Sequence, residues 1–253
     1  MNAYRWAERL AGGDPIDAPV ALVVAHPDDE TLWAGAALHR LRNLTLILVT
    51  DGAPEDMGDA HRLGFAARED YSSARQKELT RALAALDAKP KLIRYEVRDK
   101  DAVLHLPTII ARLRGDLAQA ELVITHPYEG GHPDHDAVAL AVSRVASVPV
   151  VEFACYAQIG GTRAFGHLIP DPASPEQTRA LDPADRARVD AALAAHATQT
   201  LVFGDWRPEA ERWRAAPAYD FTRPPPGEAA LYDGFGWALT SDRWREIVAQ
   251  ALA

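Results

Sequence analysis

The chain has 253 residues, 48% of them hydrophobic and 25% charged, with a formal net charge of −9 and one cysteine. That balance suits a soluble globular protein long enough to bury its own core without cross-links. The acidic excess and the lack of a Lys/Arg block argue against a nucleic-acid partner, the lone Cys155 excludes an internal disulfide and any multi-cysteine metal site, and no apolar run reaches the roughly 20 residues that span a bilayer.

The first ten residues carry charge throughout and lack the apolar core of a secretory signal, so a cytoplasmic protein with no membrane partner is expected. Residues 21–25 form a short apolar run between Pro19 and Pro27 and read as a fully buried strand. A helix over 31–41 follows. The next strand, 44–50, ends at the turn signal Asp51-Gly52. Leu79, Ala82, Leu83 and Leu86 share one face of a helix over 71–86. Then come a strand over 91–97, a helix over 106–117, a strand over 121–125, a helix over 133–145 and a strand over 148–157. Cys155 falls in this last apolar run and reads as a buried, inert thiol.

Continuous apolar strands alternating with helices imply an α/β fold. The expected form is a Rossmann-like sheet of mostly parallel strands with helices on both faces. Past residue 160 the pattern changes. Residues 170–183, rich in proline and acid, read as a loop, 184–198 as a helix, and Pro224-Pro225-Pro226-Gly227 as a break. Trp206, Trp213, Tyr219, Phe221, Tyr232, Phe235 and Trp237 crowd the tail with aromatic rings. The expectation is one domain over 1–253, with a core over 20–200 and a C-terminal elaboration over 200–253.

Two segments carry chemistry. Ala-His-Pro-Asp-Asp-Glu, 25–30, leaves the first strand and opens a helix. A helix N-terminus alone would favour its acids, but not a histidine at the mouth of a sheet. His26 and Asp29, three apart across that turn, are ordinary metal ligands. Asp28, on another face, is free to act as a base. Gly-Gly-His-Pro-Asp-His, 130–135, follows the fourth strand, with Pro133 suited to a first helical position and His132 and His135 on one side of the turn. Asp134 can hydrogen-bond an imidazole and fix its tautomer. In such sheets ligands bind beyond the carboxyl ends of the strands, where both motifs lie.

His-Pro-Asp-Asp-Glu together with His-Pro-Asp-His resembles the PIG-L/LmbE-like deacetylases, zinc-dependent enzymes that remove N-acetyl groups from N-acetylglucosamine conjugates. Thr50-Asp51-Gly52, Arg75-Gln76-Lys77-Glu78-Leu79 and the segment from Ala192 to Gln199 extend the resemblance over residues 20–200. It implies His26, Asp29 and His135 as zinc ligands and Asp28 as general base. His132, supported by Asp134, would stabilise the oxyanion or protonate the leaving amine. Arg75, Asp99 and His196 would contact an amino-sugar substrate. Arg75 could equally pair with Glu78, and Asp101 could take the place of Asp99. Two histidines and a carboxylate also suit iron(II), and a homo-oligomer stays open. His39, His61, His105, His126 and His167 read as structural or exposed, with His126 at the end of the fourth strand. Several family members carry a tyrosine two residues before the first histidine of the second motif. Here that place is Gly130, and Tyr128, the nearest phenol, is expected to stay out of the site.

Other readings are weaker. A zinc amidase for a non-sugar or thiol-conjugate amide would use the same residues. A non-catalytic metal- or sugar-binding module would not need Asp28. A nucleotide-dependent oxidoreductase lacks its glycine fingerprint, and no Gly-x-Ser-x-Gly elbow suggests a covalent intermediate.

Overall fold

The structure, a computed structural model, describes residues 1–227 and 229–252. In chain order its elements are α1 (Ala3–Gly12), β1 (Ile16–Val24), α2 (Asp29–Leu38), β2 (Leu41–Pro54), α3 (Gly58–Arg62), α4 (Arg68–Ala85) and β3 (Lys91–Asp99). There follow α5 (Leu106–Asp116), β4 (Leu122–Thr125), α6 (Pro133–Ser143), β5 (Val150–Phe153), β6 (Cys155–Ile159) and β7 (Thr162–His167). The tail adds β8 (Gln177–Ala180), α7 (Pro183–Ala195), α8 (Thr200–Phe203), β9 (Ala210–Ala215) and α9 (Ser241–Ala251).

Seven strands form one sheet in the order β3-β2-β1-β4-β5-β9-β8. The first five are parallel, and β9 and β8 extend the sheet antiparallel. In β1, Val20, Leu22 and Val24 join one core with residues of α1, α2, α4 and α7, while Ala21 and Val23 join the other with α5, α6 and α9. A strand apolar on both faces is what a sheet covered on both sides requires. β1 hands the chain to β2 on one side while β4 lies on the other. The crevice at this reversal is where ligands bind in open α/β sheets, and it separates the two motifs. Among the described residues no helix is long and apolar enough to cross a membrane.

The structure departs from the sequence reading in two of the strands. The strand expected over 148–157 breaks at Ala154, whose N–H donates to the Arg212 carbonyl. β5 stays in the sheet, and β6 turns out into a separate hairpin with β7. The loop expected over 170–183 contains β8, a short edge strand with alternating exposure whose pattern is too brief to stand out. Within the C-terminal elaboration, Trp213 on β9 and Trp244 on α9 are fully buried and join the two cores.

Trp244 stacks on Tyr128 and donates from Nε1 to the Pro133 carbonyl at 3.0 Å, pinning the start of α6. Trp244→Ala should cost about 3–5 kcal/mol in chemical denaturation, as large-to-small changes in a core do. A loss below ~1 kcal/mol would show that α9 is not part of the cooperative fold.

Candidate active site

β1 ends at Val24, and the next residues are held from both flanking strands. The Ala25 N–H donates to His126 Nε2 at 3.0 Å, and Thr50 donates to the Ala25 carbonyl through both its N–H and Oγ1. Asp29 then folds back so that its Oδ2 accepts the His26 N–H at 2.8 Å. The same carboxylate meets His26 Nδ1 at 3.3 Å, His135 Nε2 at 3.2 Å and Trp33 Nε1 at 3.1 Å. His26, His132 and His135 are all buried and bring a ligand nitrogen each within 4.8 Å of one another.

Tautomers follow from the backbone donors. His132 is the N-cap of α6, and its Nδ1 accepts the Asp134 N–H at 3.2 Å, so a neutral ring carries its proton on Nε2, 3.7 Å from Asp99 Oδ1. His126 spends its Nε2 lone pair on Ala25 and points Nδ1 at Cys155 Sγ, 3.3 Å away. It stacks on His135 with ring centroids 3.9 Å apart and positions that ring; it has no lone pair left for a metal. His135 differs. Its Nδ1 is buried with no partner among the described residues, and its Nε2 lies 3.2 Å from Asp29 Oδ1 without hydrogen-bond geometry; a buried imidazole so placed beside a carboxylate fits a metal ligand.

Electrostatics point the same way. Burial opposes charge on His26, yet Asp99, Asp134 and Asp29 outweigh it and hold its pKa well above the ordinary value. A pocket that draws a proton so strongly suits a cation. Burial, aided by His26, keeps His132 neutral. Burial pushes the Asp28 carboxyl up to about 7 against the pull of Arg75. Asp28 also sits at φ 155° and ψ −24°, a conformation L residues rarely adopt, as strained residues at functional sites do.

Arg75 lies on the cavity wall, but its guanidinium is directed at the protein. It donates to Asp28 Oδ2 at 2.8 Å, to the Pro27 carbonyl at 3.2 Å and to the Gly52 carbonyl. It therefore orients Asp28 rather than reaching out to a ligand, and it does not pair with Glu78, which binds Thr198 instead. A Cβ on Gly52, at φ 69°, would strike this guanidinium, so the Asp51-Gly52 turn exists to let it in. Asp99 lines the cavity 3.1 Å from His26 Nε2. Asp134 meets the His132 ring through its backbone N–H alone, not its carboxylate. Its carboxylate accepts the N–H groups of Lys100 and Ala102 and approaches His26 Nε2 at 3.2 Å, tying the turn after β3 to α6. His196, expected at the substrate, is fully buried behind α2, with Nε2 3.3 Å from Thr31 Oγ1, and does not line the cavity.

Tyr128 donates to the Arg223 carbonyl and packs on Phe221, away from the cavity. The phenol near the histidines is Tyr156, its ring 5.4 Å from His135. Sequence reading missed it because it sits just past the break that turns β6 out of the sheet. Trp33 had a signal: it is one helical turn beyond Asp29. These groups open on a cavity of 610 Å³, within the roughly 300–1,000 Å³ range of small-molecule sites.

Residues 21–146 match the family described as PIG-L: GlcNAc-PI de-N-acetylase. Just under half of the chain is thus similar to the PIG-L family. It is 35% identical over 143 residues to a probable N-acetyl-alpha-D-glucosaminyl L-malate deacetylase 2 of Bacillus anthracis, covering 51% of this chain and 60% of that protein. It is 29% identical over 239 residues to a 1D-myo-inositol 2-acetamido-2-deoxy-alpha-D-glucopyranoside deacetylase of Gordonia bronchialis, covering 72% of this chain and 84% of the other. The A40926 pseudoaglycone deacetylase Dbv21 shares the fold with a TM-score of 0.60 at 19% identity, over 81% of this chain and 99% of that one. Both PIG-L motifs, with Asp99 between them, fall inside the matched segment; Arg75 does too, whereas His196 and the aromatic tail lie beyond it.

Arg75→Ala should destabilise the protein by about 3–5 kcal/mol, the cost of leaving one charge of a buried pair unpartnered. Guanidinium denaturation reads it. A loss under ~1 kcal/mol, the range of exposed pairs, would mean that Asp28 is not held by Arg75.

Proposed function

We propose that this protein is a zinc-dependent hydrolase that removes the N-acetyl group from an N-acetylglucosamine-type amino sugar or conjugate. The observation that carries the reading is the cluster itself. His26 and His135 both meet the Asp29 carboxylate at the foot of a cavity, with His135 Nδ1 buried and without a partner, beside a buried carboxylate, Asp28, fixed in place by Arg75. His26, Asp29 and His135 would hold the metal, leaving the coordination open on the cavity side as in catalytic sites. Zinc bound there supplies Lewis acidity and makes water acidic near neutral pH; iron(II) suits the same donors.

Asp28 is the general base. It takes a proton as water oxygen bonds to the acyl carbon. Arg75 prevents its carboxylate from turning away, and burial keeps bulk water from competing. His132 presents Nε2–H to the cavity, where it donates to the carbonyl oxygen as negative charge develops there. The C–N bond then breaks, the nitrogen takes the proton that Asp28 removed from water, and acetate and the free amine leave. Asp99, between His26 and His132, sets the orientation of both rings and is the nearest carboxylate for a sugar hydroxyl.

The test is acetate release from a panel of N-acetylglucosamine conjugates by the zinc-supplemented protein. Release that is abolished by a chelator and restored by zinc is expected. A panel that yields acetate only from non-sugar or thiol-conjugate amides would move the reading to an amidase. Asp28→Asn should keep its metal and lose 10²–10⁴-fold in kcat, in the range of a missing general base; near wild-type turnover would remove Asp28 from the mechanism. His135→Ala should lose zinc in metal analysis, and full occupancy in that variant would overturn the ligand assignment.

A further inference from the structure

Three of the tail's aromatic residues are not core. Trp206, Phe235 and Trp237 are partly exposed and open on the same cavity as His26 and His135. Trp206 packs on Trp33 at 5.4 Å and on Phe165 at 5.6 Å. Tyr156 packs on Phe165 at 5.7 Å and on Trp33 at 5.9 Å. These four rings close a quartet that starts at the His135 imidazole and runs outward. A second wall starts at His132, against which Trp237 packs at 5.1 Å, with Phe235 4.9 Å beyond it. The Arg163 guanidinium spans the two, 4.3 Å over Phe165, 4.9 Å over Tyr156 and 5.8 Å from Phe235. Arg163 has no carboxylate partner among the described residues.

Such surface gains most from a flat apolar occupant. Rings favour edge or offset stacking on rings, and a guanidinium plane adds a cation to an aromatic face. A sugar laid on the quartet would bring only its C–H face into contact, and its hydroxyls would meet no polar side chain there, among the described residues, but Arg163. The polar partners a sugar needs lie elsewhere in the cavity, at Asp99, Lys100 and Asp56. We propose that the Trp33–Tyr156–Phe165–Trp206 quartet is a subsite for a flat aryl group of the substrate, which lies between it and the Phe235–Trp237 wall under Arg163. The inference rests on the deacetylase reading for the reacting end alone. The aryl group belongs either to the aglycone or to the acyl part, and both present the same chemistry to these rings.

Four compounds separate the sources: methyl and 4-nitrophenyl N-acetylglucosaminide, methyl N-benzoylglucosaminide, and N,N'-diacetylchitobiose. Acyl release gives kcat/KM for each, and calorimetric titration gives binding whether or not turnover occurs. The aryl compound of one pair is expected to exceed its methyl N-acetyl counterpart about tenfold or more, the scale of one or two stacked rings. Which compound gains locates the aryl group. Trp206→Ala and Phe165→Ala should each pull that ratio toward one, with folding checked by circular dichroism. Equal kcat/KM and equal binding across the pairs would overturn the subsite while leaving the deacetylase reading intact. Absence of release, together with tighter aryl binding that Trp206→Ala abolishes, would uphold the subsite and overturn the deacetylase reading. Preference for the disaccharide over both aryl compounds would also overturn the proposal, since the quartet would then be a sugar platform.

Discussion

The Asp29 carboxylate is the joint on which the site hangs. It caps its own turn through the His26 N–H, faces the rings of His26 and His135, and accepts from the Trp33 indole. It thereby ties the end of β1, the first turn of α6 and the body of α2 to one point. A charge buried to this degree is stable only if its surroundings are positive or hydrogen-bonded. Here they are, and the imidazoles of His135 and His126 hold its pKa well below the carboxylate range against the cost of burial. The helices contribute as well. α2 begins at Asp29 and α6 at Pro133, so two positive helix ends face the same carboxylates.

Around that joint the protein separates its carboxylates by environment. Asp28 and Asp29 are adjacent in sequence and both buried, yet burial raises the first while imidazoles lower the second. Asp99 is lowered by His26 and His132 against its burial, and Asp134 is raised by burial but saturated by two backbone donors. Neighbouring carboxyls driven apart in this way are suited to different tasks: one to hold a cation, one to move a proton, one to bolt a loop. The strain at Asp28 and the large number of buried charges destabilise the site locally. Two extensive cores on either face of the sheet offset that cost.

The tail links this chemistry to the rest of the fold. Trp213, Tyr232 and Trp244 fill the core, and Arg214 joins β9 to β5 through Glu152 and to the β4–α6 loop through Glu129. Trp206, Phe235 and Trp237 instead reach the cavity rim. One aromatic-rich segment thus both secures the loop and first turn of α6 that carry His132 and His135 and builds the outer wall over them. The PIG-L match ends at residue 146, so the histidines and carboxylates at the floor of the cavity lie within the matched segment, and most of the aromatic wall lies beyond it.

The sequence by itself determined the parallel core and the floor of the site. Apolar runs alternating with helical periods leave few topologies, and a motif directly after a buried strand must emerge at the strand's carboxyl end. His26, Asp28, Asp29, His132 and His135 could be placed together at that end for this reason, the first three within five residues of the end of β1 and the last two within ten of the end of β4. What only the tertiary structure decided is direction and partnership. Arg75 turned inward to Asp28, Asp134 to the backbone after β3, and His196 to the back of α2, because each buried polar group takes the nearest unsatisfied partner, and that partner lies tens of residues away. Tyr156 reached the cavity only because β6 leaves the sheet at Ala154, a break that a continuous apolar run does not reveal. Nor could sequence sort the tail's aromatic residues into core and wall: an aromatic ring serves either role, and the choice rests on which long-range neighbours cover it.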